Sequence, residues 1–301
     1  DISSKIFKFK DDIEISLEAN PSSYEREKFR KMHKLGINRI SIGVQSLNDK
    51  NLQFLGRKHN YRDAETAIDL ATNTFNNVSI DLIYALYEQN IEDWENELQS
   101  VLNKFNINHL SAYQLTIERG TRFFKDFKEG LLKIVDNDVA AEFFTRTKTI
   151  LNEHNFQNYE ISNFGKENFF SKHNTAYWQS KEYIGIGPSA HSFNGISRSW
   201  NISSNKKYID GIQDDKSFSE IEILTIEQQY NEYVFTSLRT IWGVDLDYLS
   251  ERFLENITEH FLKEIAKWIE KGYIQKTNKQ YTLTQKGKAF ADGVSSDLFI
   301  V

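Results

Sequence analysis

From residue 13 to residue 115, short β-type runs alternate with helical ones, and this alternation constrains the fold more than anything else in the chain. Residues 13–18 alternate apolar with polar and stop at Asn20-Pro21. Residues 23–35 have helical spacing and end at Gly36. Residues 39–45 (Arg-Ile-Ser-Ile-Gly-Val-Gln), 78–84 and 109–115 read as three further strands. Between them, residues 62–74 put Ala64, Ala67, Ile68 and Ala71 on one face, and residues 91–105 do the same with Trp94, Leu98, Val101 and Leu102. Strand and helix in turn at this pace is the βαβ pattern of a parallel sheet or barrel. A further helix is expected over 137–153. In such folds function gathers at the C-terminal ends of the strands. The polar residues there are Glu18 and Asn20, Gln45, Asp81, and Gln114 with Thr116. Any one of them alone would suit ordinary strand-end polarity.

The middle of the chain, from about residue 159 to residue 204, changes character. Asn, Ser, Gly and aromatic residues crowd together at 159–164, 173–178 and 185–191, a composition that makes turns and loops. From about residue 221 the pattern is helical again. Thr225 with Gln228 forms a capping box, residues 258–271 form a helix ending at Gly272, and 273–283 read as a hairpin turning at Asn278-Lys279. Helix, helix, hairpin resembles a winged-helix module. DNA binding does not follow, because residues 245–301 hold 8 basic against 9 acidic side chains and the whole chain carries a net charge of −6, which suits no phosphate-binding face. With 39% hydrophobic residues over 301 positions a substantial core can form. No apolar run is long enough to span a membrane and no signal peptide is visible, so a cytoplasmic protein is expected. There is no cysteine, which excludes disulfides, thiolate zinc sites and Cys-held iron–sulfur clusters for these residues.

The runs Glu18-Ala19-Asn20-Pro21, residues 36–46 (Gly-Ile-Asn-Arg-Ile-Ser-Ile-Gly-Val-Gln-Ser), Gly56-Arg57-Lys58-His59, Asp81-Leu82-Ile83-Tyr84, Leu110-Ser111-Ala112-Tyr113 and residues 159–164 resemble the oxygen-independent coproporphyrinogen III oxidase-like family of radical S-adenosylmethionine (SAM) proteins. His173-Asn174-x-x-Tyr177-Trp178 resembles the mark of one branch, the HemW-type haem chaperones. The resemblance runs over nearly the whole chain.

It implies an α/β fold: an incomplete parallel (β/α) barrel over 1–158, a connecting segment with the HNxxYW motif over 159–220, and a C-terminal winged-helix-like domain over 221–301. It implies SAM contacts at Glu18, Gln45, Arg57 and Asp81. Carboxylates accept from ribose hydroxyls or an amino group, and an Arg fork pairs with a carboxylate. It also implies haem at His173, Tyr177 and Trp178, with His173 as an iron ligand and His191 the next candidate. On chemistry alone, these residues suit a capped turn with both aromatic rings in the core better, and it is the resemblance that favours haem. His59 and His109 read as structural.

The implied function is haem binding and transfer to an accepting apoprotein. The alternatives are conversion of coproporphyrinogen III to protoporphyrinogen IX, and an inactive remnant. The family's CxxxCxxC and glycine-rich turn are not in this sequence, so a 4Fe–4S cluster is expected only with a preceding N-terminal segment that would also bring the first two strands. Ala85-Leu86-Tyr87 stands where the family usually has Gly-Leu-Pro, and an altered loop is expected there.

Overall fold

The computed structural model describes residues 2–214, 216–288 and 290–301, with the backbone alone for residues 3, 4, 23 and 24. The chain forms two compact units, Asp1–His173 and Asn174–Val301.

In the first unit the expected strands form, as β1 (Ser16–Ala19), β2 (Arg39–Gln45), β3 (Asn77–Tyr84) and β4 (His109–Gln114). They pair parallel in that order. β1 starts three residues later than its pattern suggests. At residues 13–15 the Asn38 side chain stands in for part of the ladder: it donates to the Ile13 carbonyl at 2.7 Å and accepts from the Ile15 amide at 2.8 Å, while the Ile15 carbonyl accepts from the Asn38 and Arg39 amides. Two short strands, β5 (Gln157–Asn158) and β6 (Asn163–Gly165), complete the sheet in the order β1-β2-β3-β4-β6-β5. β6 runs antiparallel to β4. The barrel is therefore incomplete: the sheet is open, and its last strands turn back instead of continuing the parallel series.

Local signals account for the helices. Asn60 and Asp63 form a reciprocal capping box on the helix Tyr61–Thr72, and Asn90 caps the helix Ile91–Lys104. Ala64, Ala67, Ile68 and Ala71 of the first, and Trp94, Leu98 and Val101 of the second, are buried as their spacing predicts. The Trp94 indole donates to Thr147 in the helix Asn137–Glu153 at 2.7 Å, which settles the one polar atom of a fully buried ring. The run 23–35 forms two short helices, Ser23–Arg26 and Phe29–Lys34, instead of one.

A parallel sheet covered by helices on both faces reads as continuous apolar strands. This one alternates. Ile40, Ile42, Val44, Val78, Ile80, Leu82, Leu110 and Ala112 are buried on one face. The other face carries Ser16, Glu18, Arg39, Ser41, Ser79, Asp81, His109 and Ser111. Period-two alternation in parallel strands means that helices pack on one face and the other lines a polar interior, as in a barrel.

The second unit holds two three-stranded sheets. β7 (His191–Phe193), β8 (Ser197–Asn201) and β9 (Ser219–Ile223) form an antiparallel sheet in chain order. So the Asn- and Ser-rich stretch builds strands as well as turns. β10 (Val244–Asp245), β11 (Ile274–Thr277) and β12 (Gln280–Leu283) form the wing, in the order β10-β12-β11. The capping box of Thr225 and Gln228 opens the helix Ile226–Leu238. Among the described residues no helix is long and apolar enough to cross a membrane.

Candidate functional site

The C-terminal rim of β1–β3 brings four sequence-predicted residues into one region. The register between β2 and β3 slips between Ile42 and Gln45, and Gln45 takes a left-handed φ of 66°. A left-handed side-chain-bearing residue stores strain of about 1–3 kcal/mol, which marks functional sites more often than plain scaffolds. A Cβ on Gly43 would stand 2.8 Å from the Gln45 amide nitrogen and 3.5 Å from Arg57 Nη2. Glycine here makes room for two polar side chains that converge over the strand end. Arg57 Nη2 donates to Asn20 Oδ1 at 3.0 Å and to the Gly43 carbonyl at 3.3 Å, tying the ends of β1 and β2 together.

Asp81 lies deeper on the same face. Ser41 donates to its Oδ1 at 3.1 Å. Burial pushes the Asp81 carboxyl upward, the Ser111 and Ser41 hydroxyls oppose that, and the Glu18 charge reinforces it. A half-desolvated carboxylate beside a second carboxylate attracts a cationic or hydrogen-bond-donating ligand.

Below the rim the polar face is sealed by a fully buried histidine. His109 Nδ1 meets Ser79 Oγ at 2.7 Å and Nε2 meets Tyr159 Oη at 2.8 Å. Burial, aided by the Arg39 charge, holds His109 well below the ordinary histidine value. The ring is therefore neutral when folded, and the stability it confers is full above its unfolded value, near 6.5, and is lost as pH falls below that. We expect thermal unfolding followed from pH 8 to pH 5 to show wild type losing up to about 1.4 kcal/mol per pH unit more steeply than His109→Gln. Parallel profiles would mean that His109 titrates normally in the folded chain.

At the end of β3, Ala85 keeps a left-handed φ of 56°. Glycine, the residue that the resemblance leads one to expect, reaches that conformation at no steric cost. The loop thus retains glycine-type geometry with an alanine in it. Ala85→Gly should be neutral or stabilise by up to about 1 kcal/mol, in contrast with the usual loss for Ala→Gly, as chemical denaturation would record.

The HNxxYW segment forms the helix Lys172–Trp178, where its composition suggests a loop. The reason is remote: the carboxylate of Glu14, 158 residues before Lys172, accepts from the first two helical amides. His173 and Tyr177 are exposed and Trp178 is half-buried, so neither ring belongs to the core. Tyr177 meets Tyr183 edge-on, with centroids 4.6 Å apart. His191 lies on β7 beside Trp200. His59 is buried against the Val44 carbonyl and is structural.

Comparison with known proteins gives this geometry its context. The Radical SAM superfamily profile matches residues 1–101, and the HemN C-terminal domain profile matches residues 224–290. The heme chaperone HemW of Bacillus subtilis is 32% identical over 301 residues, covering 98% of this chain and 78% of that protein. The chain belongs to the HemW/HemN-like radical SAM family. A second HemW, from Lactococcus lactis, is 30% identical over 93% of the chain and 74% of its own length. The mouse mitochondrial radical S-adenosyl methionine domain-containing protein 1 is 44% identical over 60% of the chain, but only 41% of that protein is covered. The solved structure of coproporphyrinogen III oxidase (HemN) from Escherichia coli superposes with a TM-score of 0.80 at 20% identity, over 99% of this chain and 72% of that one. That likeness shows the fold.

Radical SAM membership implies SAM and a 4Fe–4S cluster. The donor set at the strand rim fits SAM: two carboxylates, an amide and a guanidinium can meet an amino group, ribose hydroxyls and a carboxylate. The cluster does not fit these 301 residues, because they contain no thiolate.

Sequence reading misses Glu97. From the helix Ile91–Lys104 its buried carboxylate accepts from Ser46 Oγ at 2.7 Å and from the Leu47 amide, holding the turn that follows Gln45. Burial pushes its carboxyl up while those two donors oppose the shift. The signal was present: Glu97 follows Trp94 by three on the helix's apolar face.

Proposed function

We propose that this chain binds haem and passes it to an accepting apoprotein, with haem held at the helix Lys172–Trp178 and SAM at the rim formed by Glu18, Gln45, Arg57 and Asp81. The observation that carries the reading is an exposed helix with His173 and Tyr177 one turn apart. A neutral imidazole is a common axial ligand for haem iron. An aromatic ring one turn along lies within reach of the edge or face of a porphyrin, and Trp178 adds a second ring beside it. An exposed helix suits a cargo that must leave again, since a buried pocket would retain it.

At the rim, the residues of this chain would bind and orient SAM. Asp81 and Glu18 accept hydrogen bonds, the Arg57 fork pairs with a carboxylate, and Gln45 both donates and accepts. SAM, when bound with a reduced cluster, supplies radical chemistry to the family. The names of the relatives support the haem reading, since HemW proteins are heme chaperones. The likeness to coproporphyrinogen III oxidase supports the fold and says less about activity, at 20% identity.

Titration of the purified chain with haem should give saturable, stoichiometric binding with a shifted Soret band. The same protein incubated with coproporphyrinogen III should form no protoporphyrinogen IX. Absence of saturable haem binding would sink the proposal, and product formation would favour the enzyme.

A further inference from the structure

The helix Lys172–Trp178 is only 7 residues long, too short to hold itself together in water. What holds it lies at its N-terminus. Glu14 Oε2 accepts from the Lys172 amide at 3.1 Å, and Oε1 accepts from the His173 amide at 3.1 Å. Both oxygens of one carboxylate are thus used on two successive orphan N–H groups, where a negative charge is favoured.

Glu14 is not a loose surface residue. Its side chain is 9% exposed, and Arg39 Nε, itself on a side chain 6% exposed, stands 3.9 Å away. Arg39 is in turn fastened to Ser16 at 3.0 Å. Around this pair the anchoring is doubled. Lys172 Nζ donates to the carboxylate and the backbone carbonyl of Asp12, both at 2.7 Å. The Ser171 amide donates to Tyr159 Oη, the hydroxyl that also meets the buried His109. The start of the helix is therefore fastened to the segment before β1 and to Tyr159, through the buried Glu14 and Tyr159 and through an exposed Lys172–Asp12 pair.

We infer that Glu14 is the positioning residue of the haem site: its carboxylate sets the first helical turn and with it the direction in which His173 presents its imidazole. The inference deepens the proposed function and rests on His173 being the haem ligand. Glu14 touches no haem in this arrangement. It acts through the backbone of the ligand residue, and the Arg39 guanidinium stands 3.9 Å from its carboxylate as a charge of opposite sign. Lys172 and His173 are thereby tied to the residues that lead into β1 and to Arg39 at the start of β2, so that rearrangement there is felt at His173.

The test uses the 301-residue chain and four variants: Glu14→Ala, Glu14→Gln, Glu14→Asp and His173→Ala. Gln keeps the shape but offers one acceptor oxygen, and Asp keeps the charge on a shorter arm. Without haem, amide hydrogen exchange at Lys172 and His173 should speed up by about tenfold or more in Glu14→Ala, the effect of losing a charge-assisted bond, and less in Glu14→Gln. With haem, Glu14→Ala should bind about tenfold more weakly and show a mixed spectrum of coordinated and uncoordinated iron, with Glu14→Gln intermediate. Glu14→Asp should recover part of both losses. If Glu14→Ala does not fold, Glu14→Gln carries the test. Wild-type exchange, affinity and spectrum in the folded Glu14 variants would overturn the inference while His173→Ala still lost the iron signal. If His173→Ala also bound haem like wild type, the haem reading itself would fall, and the positioning role with it.

Discussion

His173→Ala should remove the iron ligand and leave the fold. The expected result is a Soret band that resembles free or non-specifically bound haem, an affinity lower by about tenfold to a hundredfold for the loss of one strong contact, and an unchanged far-ultraviolet circular dichroism spectrum. The fold should survive because the helix Lys172–Trp178 has no buried residue and its anchor at Glu14 bonds to the His173 backbone, which alanine retains. Trp178→Ala should weaken haem binding by a smaller factor while keeping the iron spectrum, since stacking does not touch the metal. The pair of variants separates ligation from wall contact. Wild-type affinity and spectrum in His173→Ala would move the ligand elsewhere, first to His191. Unfolding would make the segment structural.

Asp81→Asn should do two opposite things. Burial raises the Asp81 carboxyl, and the neighbouring Glu18 adds to the rise. A carboxyl raised in the folded state is penalised once ionised, so the wild type gives up stability as pH climbs from the unfolded value, near 3.8, through the folded one. Above the folded value that penalty is fully present, and an amide removes it. The variant should unfold at a higher midpoint, by about 0.5–2 kcal/mol of stability, with the gain shrinking in acid. It should also bind SAM about tenfold to a hundredfold more weakly, for want of a charge-assisted acceptor. A more stable protein that binds worse is the mark of a residue kept for function at a cost in stability. Calorimetry with SAM alongside thermal unfolding checks both arms. Unchanged SAM affinity would remove Asp81 from the site, and a lower midpoint would make it a structural residue.

Much of the fold was written in short stretches of sequence. The limits of β2 and of the helix Asn137–Glu153 agree with their patterns residue for residue. Ala64, Ala67, Ile68 and Ala71 could be named as buried from spacing alone. These readings work because burial in a strand or helix repeats every two or 3.6 residues, and caps such as Thr225 with Gln228 act within one turn. Glu18, Gln45 and Asp81 stood out because parallel strands carry chemistry at their C-terminal ends. Arg57, outside any strand, needed the family pattern.

What only the tertiary structure decided has a common physical origin. Ala85 and Gln45 take left-handed backbones that their residue types do not advertise, because the surrounding loop over-determines them. β6 turns antiparallel on β4, a pairing that strand periodicity does not encode. The HNxxYW segment becomes a helix because the carboxylate of Glu14 reaches amides 158 residues further on. Glu97 does the same for the turn after Gln45, 50 residues before it. A periodic pattern is a property of neighbours, whereas a buried carboxylate finds its donors only after the chain has closed on itself.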